Sequence, residues 1–395
     1  MVAYATEMEI YMKKIMCFFV CVIMLFSTVN VSAETVVETN AKSVLLMEQS
    51  TGRVLYEENS DEQLPIASVT KIMTMLLIME AVDNGTITLD DMVSVSENAM
   101  SYGGSTMFLE AGEQLSVHDM LKGIAVASAN DGCVAMAEFL EGSEAAFIEK
   151  MNTKAQELGM NNTHFANTNG LDADDHYSSA RDVAIMSREL LKHEKIFDYT
   201  TIWMDTLRDG KFQLANTNKL IRFYNGANGL KTGSTSKALC CLSASAKRDD
   251  MQLIAVVLGA PTSAYRFSSA KALLDYGFAS YKIEKTAVKG EEISRYEIKK
   301  GIKSDIGVCA SEDFSILKAR NDNEETKKEI IINEELHAPI KKGDKVGVLK
   351  LISKDVEKEI DLVSTEDVEK MSLRDMIENF FDMLIGAMKN KDNIK

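Results

Sequence analysis

The sequence predicts an α/β domain whose sheet is closed by its N- and C-terminal segments, followed by a small β-rich domain and a terminal amphipathic helix. Three observations predict this arrangement. β-Type runs near residue 45 and again after Lys231 enclose a series of helical-period stretches. Short, Lys/Glu-rich alternating strands fill residues 283–363, and apolar residues recur at three- and four-residue steps over 368–388. At 395 residues, 46% of them hydrophobic, the chain can fill one large core and a smaller one.

The elements follow in order. Lys13 and Lys14 precede an apolar run over 15–26, and Val31-Ser32-Ala33 offers small residues for cleavage, which predicts a signal peptide over residues 1–33. The run is short for a membrane span, and Met12 would give a conventional charged start; a retained N-terminal anchor is the alternative. The large domain is expected over 34–278. It opens with β runs at 43–49 and 53–58 around a Ser50-Thr51-Gly52 turn. Helical periods then cover 68–84, 117–127, 131–140, 144–158 and 180–192. Strands return at 239–246 and 252–258, separated by the polar turn Lys247-Arg248-Asp249-Asp250. The β-rich domain is expected over 279–365, with strands at 329–332 and 345–351.

In the last segment, 366–395, Val368, Leu373, Met376, Ile377, Phe380, Phe381, Leu384, Ile385 and Met388 share one helical stripe. Asp375, Glu378 and Asp382 interrupt it too often for a span. The terminal position and the paired Phe residues favour lying on a membrane surface; the acidic charges favour packing on the protein itself.

Composition narrows the function. Lys and Arg number 44 against 60 Asp and Glu, a net charge of −16, so a nucleic-acid partner is not expected. Without the leader, which carries Cys17 and Cys21, the cysteines are Cys133, Cys240, Cys241 and Cys309, with neither metal-like spacing nor a disulfide framework. Cys240 and Cys241 are neighbours on a predicted strand, point to opposite faces and are both expected to be buried small hydrophobes. His118, His164, His176, His193 and His337 lack H-E-x-x-H spacing, which argues against a zinc peptidase, and no G-x-S-x-G marks a Ser/His/Asp hydrolase. Each His is expected to be structural or at the surface.

A serine hydroxyl needs a base within hydrogen-bond reach, and a Lys one helical turn away can supply it. Ser68 and Lys71 have that spacing, but so do Ser234/Lys237, Ser268/Lys271 and Ser315/Lys318. Pro65-Ile66-Ala67 sets Ser68 apart by leading it into a helix N-terminus; an ordinary helix cap is the plain alternative. Ser128-Ala129-Asn130 offers a hydroxyl and a carboxamide between two helices, again with a helix cap as the alternative, and Ser96 opens a second Ser-x-Asn. Lys231-Thr232-Gly233 occurs once, opening a strand; Lys beside a Thr hydroxyl suits a carboxylate, and Gly admits a close backbone.

In this order the three elements form the S-x-x-K, S-x-N, K-T-G constellation of penicillin-binding proteins and class A β-lactamases. Together with the run from Leu64 to Thr74 (LPIASVTKIMT), the segment from Leu158 to Phe165, Asn169 to Asp172, His176 to Ala180 and Gly229 to Gly233, the chain closely resembles the low-molecular-weight D-Ala-D-Ala carboxypeptidases over residues 35–365. The resemblance implies a penicillin-binding, β-lactamase-like fold with a mostly antiparallel sheet flanked by helices. It implies an acyl-transfer cycle on peptidoglycan stem peptides ending in D-Ala-D-Ala, without metal or cofactor, with β-lactams acylating the same serine. Ser68 would be the nucleophile, Lys71 the base, freed of its proton by surrounding positive charge and partial burial, and Ser128 the proton relay. Asn130, Lys231, Thr232, Gly233 and Ser234 would bind substrate, with the Ser68 and Ser234 amides as oxyanion hole. The location implied is the cell-wall side of the cytoplasmic membrane.

A class A β-lactamase is the nearest rival, since 60 residues separate Ser68 from Ser128 and 103 separate Ser128 from Lys231. Ala129 in place of the Asp of S-D-N, and the lack of a Glu over 160–172, speak against it; Glu157 is the nearest acid. A wall-binding protein with a dead site is the non-enzymatic alternative, opposed by the intact constellation.

Overall fold

The computed structural model describes residues 37–377 except Glu334 and Asp355. The predicted leader and the predicted helical positions from 378 onward lie outside the described residues.

The first strands are β1 (Ser43–Glu48) and β2 (Val54–Glu58), joined by the expected hairpin. What closes its turn is Glu48: its buried carboxylate accepts hydrogen bonds from the backbone N–H groups of Ser50 and Thr51, at 2.9 and 2.7 Å, and from both hydroxyls. The chain then enters helix α1 (Lys71–Asp83) through a 3-10 turn, Ala67–Thr70. The periodicity predicted one helix from Ser68. The difference arises at Ala67, held at φ +48° while its carbonyl takes the Thr70 hydroxyl at 2.8 Å, so the first turn is wound more tightly. Every residue of α1 from Lys71 to Met79 is buried, which makes it the central rod of the helical layer.

β3 (Met92–Ser94) and β4 (Gln114–Ser116) form a small pair ahead of α2 (Val117–Lys122). The helix predicted over 117–127 widens into a π turn at Gly123–Ala127 and stops at Ser128, a left-handed residue at φ +65°. Next come α3 (Asn130–Glu141), α4 (Glu144–Glu157) and α5 (Ala180–Leu190). The hairpin β5 (Met204–Leu207) and β6 (Phe212–Ala215) leads to β7 (Ala227–Thr235), β8 (Leu239–Arg248) and β9 (Met251–Ala260), and then to α6 (Ser263–Ser280).

The main sheet runs β2-β1-β9-β8-β7, antiparallel throughout, so the N-terminal hairpin pairs with the last strand of the domain as the sequence predicts. Alternation sorts its side chains. Leu45, Met47, Ile254 and Val256 enter the large core shared with α1 to α5, while Leu46 and Leu253 lie against Gly277 of α6 on the other face. Cys241 is buried, but Cys240 is only half-buried, contrary to expectation: it stands near the start of β8, opposite the exposed Ser234 of β7. None of the four described cysteines is paired.

β10 (Tyr281–Ala287) starts the second core and pairs with β13 (Phe314–Ala319). Between and after them, β11 (Glu292–Glu297), β12 (Asp305–Ala310), β14 (Lys327–Ile332), β15 (Lys345–Ser353) and β16 (Val356–Ser364) make a sheet in the order β11-β12-β16-β15-β14. Val368, which the periodicity placed on the terminal helix, instead belongs to this core: it is 2% exposed and its backbone exchanges hydrogen bonds with Ile340. The segment around it is held by Glu366, which bonds Arg295 and Lys303. A helical turn over residues 373–377 carries exposed Leu373, Met376 and Ile377. No helix among the described residues is long and apolar enough to cross a membrane.

This clasp has a measurable consequence. A chain ended after Ser364 loses the burial of Val368, about 1.5–3 kcal/mol, together with the Glu366 pairs. In calorimetry its second core is expected to melt several degrees below that of a chain ended after Met371. Equal melting of the two would show that the clasp adds nothing.

Candidate active site

The site is built where the Ala67–Thr70 turn, the start of α3, the edge strand β7 and the loop over 166–172 converge. Gly170 shows how closely. At φ +89° it lies so near the turn that a Cβ there would sit 1.9 Å from the Ala67 carbonyl oxygen. From the opposite side Gly233 abuts the same turn, where a Cβ would be 2.8 Å from the Ile66 oxygen and 2.9 Å from the Ser68 nitrogen. The Ser68 backbone is thus held between two glycines. A third brace is His176, whose Nε2 lies 2.7 Å from the Thr70 hydroxyl while its Nδ1 accepts the Ala166 N–H at 3.0 Å. With Nδ1 accepting and the Thr70 hydroxyl donating to Ala67, Nε2 carries the proton. Burial pushes this imidazole down to about 4, so it is neutral at physiological pH.

Lys71 is completely buried, and its Nζ makes three hydrogen bonds: to Ser68 Oγ at 2.9 Å, to Asn130 Oδ1 at 2.7 Å and to the Asn169 carbonyl at 2.6 Å. Burial brings its pKa down to about 8, against the pull of Cys133 and Asp131, which favour the charged form. The cause is therefore complete desolvation, where the sequence reading had partial burial and surrounding positive charge. None of the three bonds goes to a carboxylate. Glu157, the acid weighed for a β-lactamase, points away at the end of α4 and pairs with Lys154.

Asn130 opens α3 with its side chain turned inward: Oδ1 accepts from Lys71 and Nδ2 donates to the Gly103 carbonyl at 2.7 Å. It is not a helix cap, and neither is Ser128; the N-cap of α3 is Ala129, with no side-chain bond. Ser96, by contrast, is an ordinary cap, accepting from Ala99. Asp131 fastens the start of α3 by accepting backbone N–H groups of Met107 and Leu109 at 3.1–3.2 Å. Ser128 is buried at the left-handed exit of the π turn, two residues before Asn130.

On β7, Lys231 is 1% exposed and its Nζ bonds the Thr232 carbonyl at 3.1 Å. Burial, reinforced by the charge of Lys71, holds its pKa well below the usual lysine value. Thr232 Oγ1 meets Thr217 Oγ1 at 2.6 Å, Ser234 is exposed, and Arg266 from α6 donates to the Gly233 carbonyl at 3.1 Å.

Ser68, Lys71 and Asn130 are thus joined by direct hydrogen bonds, Gly233 touches the Ser68 turn, and Lys231 lies within electrostatic reach of Lys71. The remaining Ser/Lys matches form no such group: Lys237 pairs with Asp174, and Lys318 with Glu284. Sequence reasoning missed Asn169, whose contribution is a main-chain carbonyl and leaves no side-chain signal. It also missed Thr217, Arg266 and the role of Gly170. The last lay inside a quoted motif without an assigned task.

Comparison with known proteins identifies the family. Residues 28–262 match the peptidase S11 family model, described as D-alanyl-D-alanine carboxypeptidase, and residues 281–370 match the model of the penicillin-binding protein 5 C-terminal domain. The chain is 49% identical over 336 residues to the D-alanyl-D-alanine carboxypeptidase DacF of Bacillus subtilis, covering 84% of this chain and 86% of that protein. Its fold is similar to that of penicillin binding protein 5 from Haemophilus influenzae, with a TM-score of 0.68 and 33% identity over 84% of this chain and 98% of that one. It is also similar to penicillin-binding protein D2 of Listeria monocytogenes in its ampicillin-bound form, with a TM-score of 0.54 and 32% identity over 62% of this chain and 99% of that one. With family models matching both parts of the chain, it belongs to the S11 family of serine D-alanyl-D-alanine carboxypeptidases, the low-molecular-weight penicillin-binding proteins.

Proposed function

We propose that Ser68 is the residue through which this carboxypeptidase removes the terminal D-Ala of peptidoglycan stem peptides, with Lys71 as its base. The observation that carries the reading is the bonding of the Lys71 nitrogen. As a neutral amine it has two N–H groups and one lone pair. Asn130 Oδ1 and the Asn169 carbonyl can only accept, so they take the two N–H groups and leave the lone pair to the one partner that can donate, the Ser68 hydroxyl.

In the first half-reaction Ser68 Oγ attacks the carbonyl of the penultimate D-Ala as its proton passes to Lys71 Nζ. The carbonyl oxygen gathers negative charge opposite the amides of Ser68 and Ser234. The C–N bond to the last D-Ala then breaks as Ser128 gives its proton to the departing amine and takes in return the one held on Lys71, so that the Ser68 ester remains beside a neutral Lys71. Asn130 orients the substrate amide, and Gly233 lets the substrate backbone approach. Lys231 and Thr232 hold the terminal carboxylate, which gives the buried Lys231 an anionic partner. Water hydrolyses the ester and restores Ser68. A β-lactam carries a strained amide and a carboxylate in the same relation, and it acylates the same oxygen.

The chain is further proposed to work on the cell-wall side of the cytoplasmic membrane, exported by residues 1–33 and held at the lipid surface by the segment after Met371. The apolar side chains already exposed at Leu373, Met376 and Ile377 support this reading.

Three outcomes test these statements. Ser68→Ala is expected to release no D-Ala from diacetyl-Lys-D-Ala-D-Ala and to take no covalent label from a fluorescent penicillin; labelling of that variant would exclude Ser68. Because the base must be neutral and its pKa is about 8, the acylation rate should climb tenfold per pH unit below that value, leaving about 1% of the plateau rate at pH 6. A rate flat from pH 6 to 9 would remove Lys71 from the role. In cells, the full chain should begin at Glu34 and sediment with membranes, while a chain ended after Met371 should be soluble outside the membrane; equal sedimentation of the two would refute the anchor.

A further inference from the structure

We propose that Glu144 is a positioning residue for acyl transfer, using its two carboxylate oxygens to clamp the two loops whose main-chain carbonyls hold Lys71 and Asn130. This rests on the acylation reading above.

Glu144 is the first residue of α4. Its Oε2 accepts the Tyr102 hydroxyl at 2.5 Å, and its Oε1 accepts the Thr168 hydroxyl at 3.0 Å. Each donor sits one residue before a carbonyl that the site uses. Tyr102 precedes Gly103, whose oxygen takes Asn130 Nδ2 at 2.7 Å. Thr168 precedes Asn169, whose oxygen takes Lys71 Nζ at 2.6 Å. Anchoring the preceding residue leaves only the φ and ψ of Gly103 or Asn169 between the clamp and the carbonyl, so little free chain remains for that oxygen to drift.

The chemistry suits the task. A carboxylate is acceptor-only and has two oxygens, so it binds two hydroxyl donors at once without competing for the protons of Lys71. Burial, then the bond to Glu144, push the Tyr102 phenol up, so it remains a donor across the working pH range. Thr168 is held from its other side too, its carbonyl accepting the Thr74 hydroxyl at 2.6 Å, one turn beyond Lys71 on α1. The end of α4 does not need Glu144 for its cap, because Ser143 Oγ already accepts the Ala146 N–H at 3.2 Å. The carboxylate is therefore available to join two loops that are 66 residues apart in the chain.

The two arms make different predictions. Releasing Asn169 frees the Lys71 amine to turn its lone pair from Ser68, which slows the chemical step. Releasing Gly103 loosens the Asn130 carboxamide, which weakens binding. The test is stopped-flow acylation of the full chain by a fluorescent penicillin, separating the binding constant from the acylation rate at saturation, with melting temperature measured alongside.

Thr168→Val is expected to slow acylation about tenfold at nearly unchanged binding, and Tyr102→Phe to weaken binding severalfold at nearly unchanged rate. Glu144→Ala should show both effects and Glu144→Gln should recover most of each, since the amide keeps one acceptor and offers a donor to the other hydroxyl. Ser143→Ala, which removes only the helix cap, should lower the melting temperature and leave both constants at wild-type values. Wild-type constants for Glu144→Ala, or for both single-arm variants, overturn the clamp while the acylation reading stands. Slowing of Ser143→Ala in step with its melting temperature overturns it as well, by reducing the effect to helix stability. A wild-type chain that takes no label at Ser68 overturns the acylation reading, and the clamp with it.

Discussion

The site turns on one buried ammonium-type nitrogen. Lys71 lies wholly out of water in the middle of the helical layer, a position in which a charged lysine is held only at considerable cost. The fold meets that cost in two ways, by supplying three well-placed partners and by lowering the pKa to about 8. Both adjustments suit the base that Lys71 is proposed to be. A lysine in water is protonated and points nowhere in particular, whereas this one spends an appreciable fraction of its time as an amine aimed at a single hydroxyl.

Much of the surrounding structure exists to keep those partners still. Ala67 and Ser128 are held in left-handed conformations that side-chain-bearing residues seldom adopt, one immediately before Ser68 and the other at the exit of a π turn. Such residues persist only where neighbours over-determine them. Here the neighbours are Gly170 and Gly233, packed against the serine turn from two sides, and His176 with Thr70 beneath it. Left-handed backbone at Ala67 and Ser128 thus lies beside the hydrogen-bonded group of Ser68, Lys71 and Asn130, where a misplacement of an ångström matters most.

The closing of the sheet by its two terminal segments and the one-turn spacing of Ser68 and Lys71 were legible in the sequence because they depend on period, whereas Lys231, expected to open a strand, stands in the middle of β7. A Lys three residues after a Ser is one helical turn away. The tight first turn at Ala67 and the π turn before Ser128 were not legible, since both depart from the period on which the reading relied. The carbonyls of Gly103 and Asn169 belong to the backbone, so no residue type announces them. Val368 was misassigned for a related reason: one apolar residue next to an amphipathic stretch fits the helical count, yet its burial comes from strand-like bridging to Ile340, which only the tertiary structure supplies. Cys240 illustrates the opposite limit. Its strand was correctly read, but which face of a strand end stays open depends on what the rest of the chain packs over it.

Lys231 remains the least satisfied charge in the site. It is buried, it faces the repulsion of Lys71 and Arg266, and its Nζ donates to the carbonyl of the residue that follows it. An anion that enters beside it relieves an electrostatic tension stored in the folded state and absent from the unfolded chain. Occupancy is then linked to thermostability as well as to turnover: a ligand that binds only the folded form adds about 2.7 kcal/mol at a hundredfold excess over its Kd. On this reading the ligand-free enzyme is less resistant to heat than the same enzyme with an anion beside Lys231.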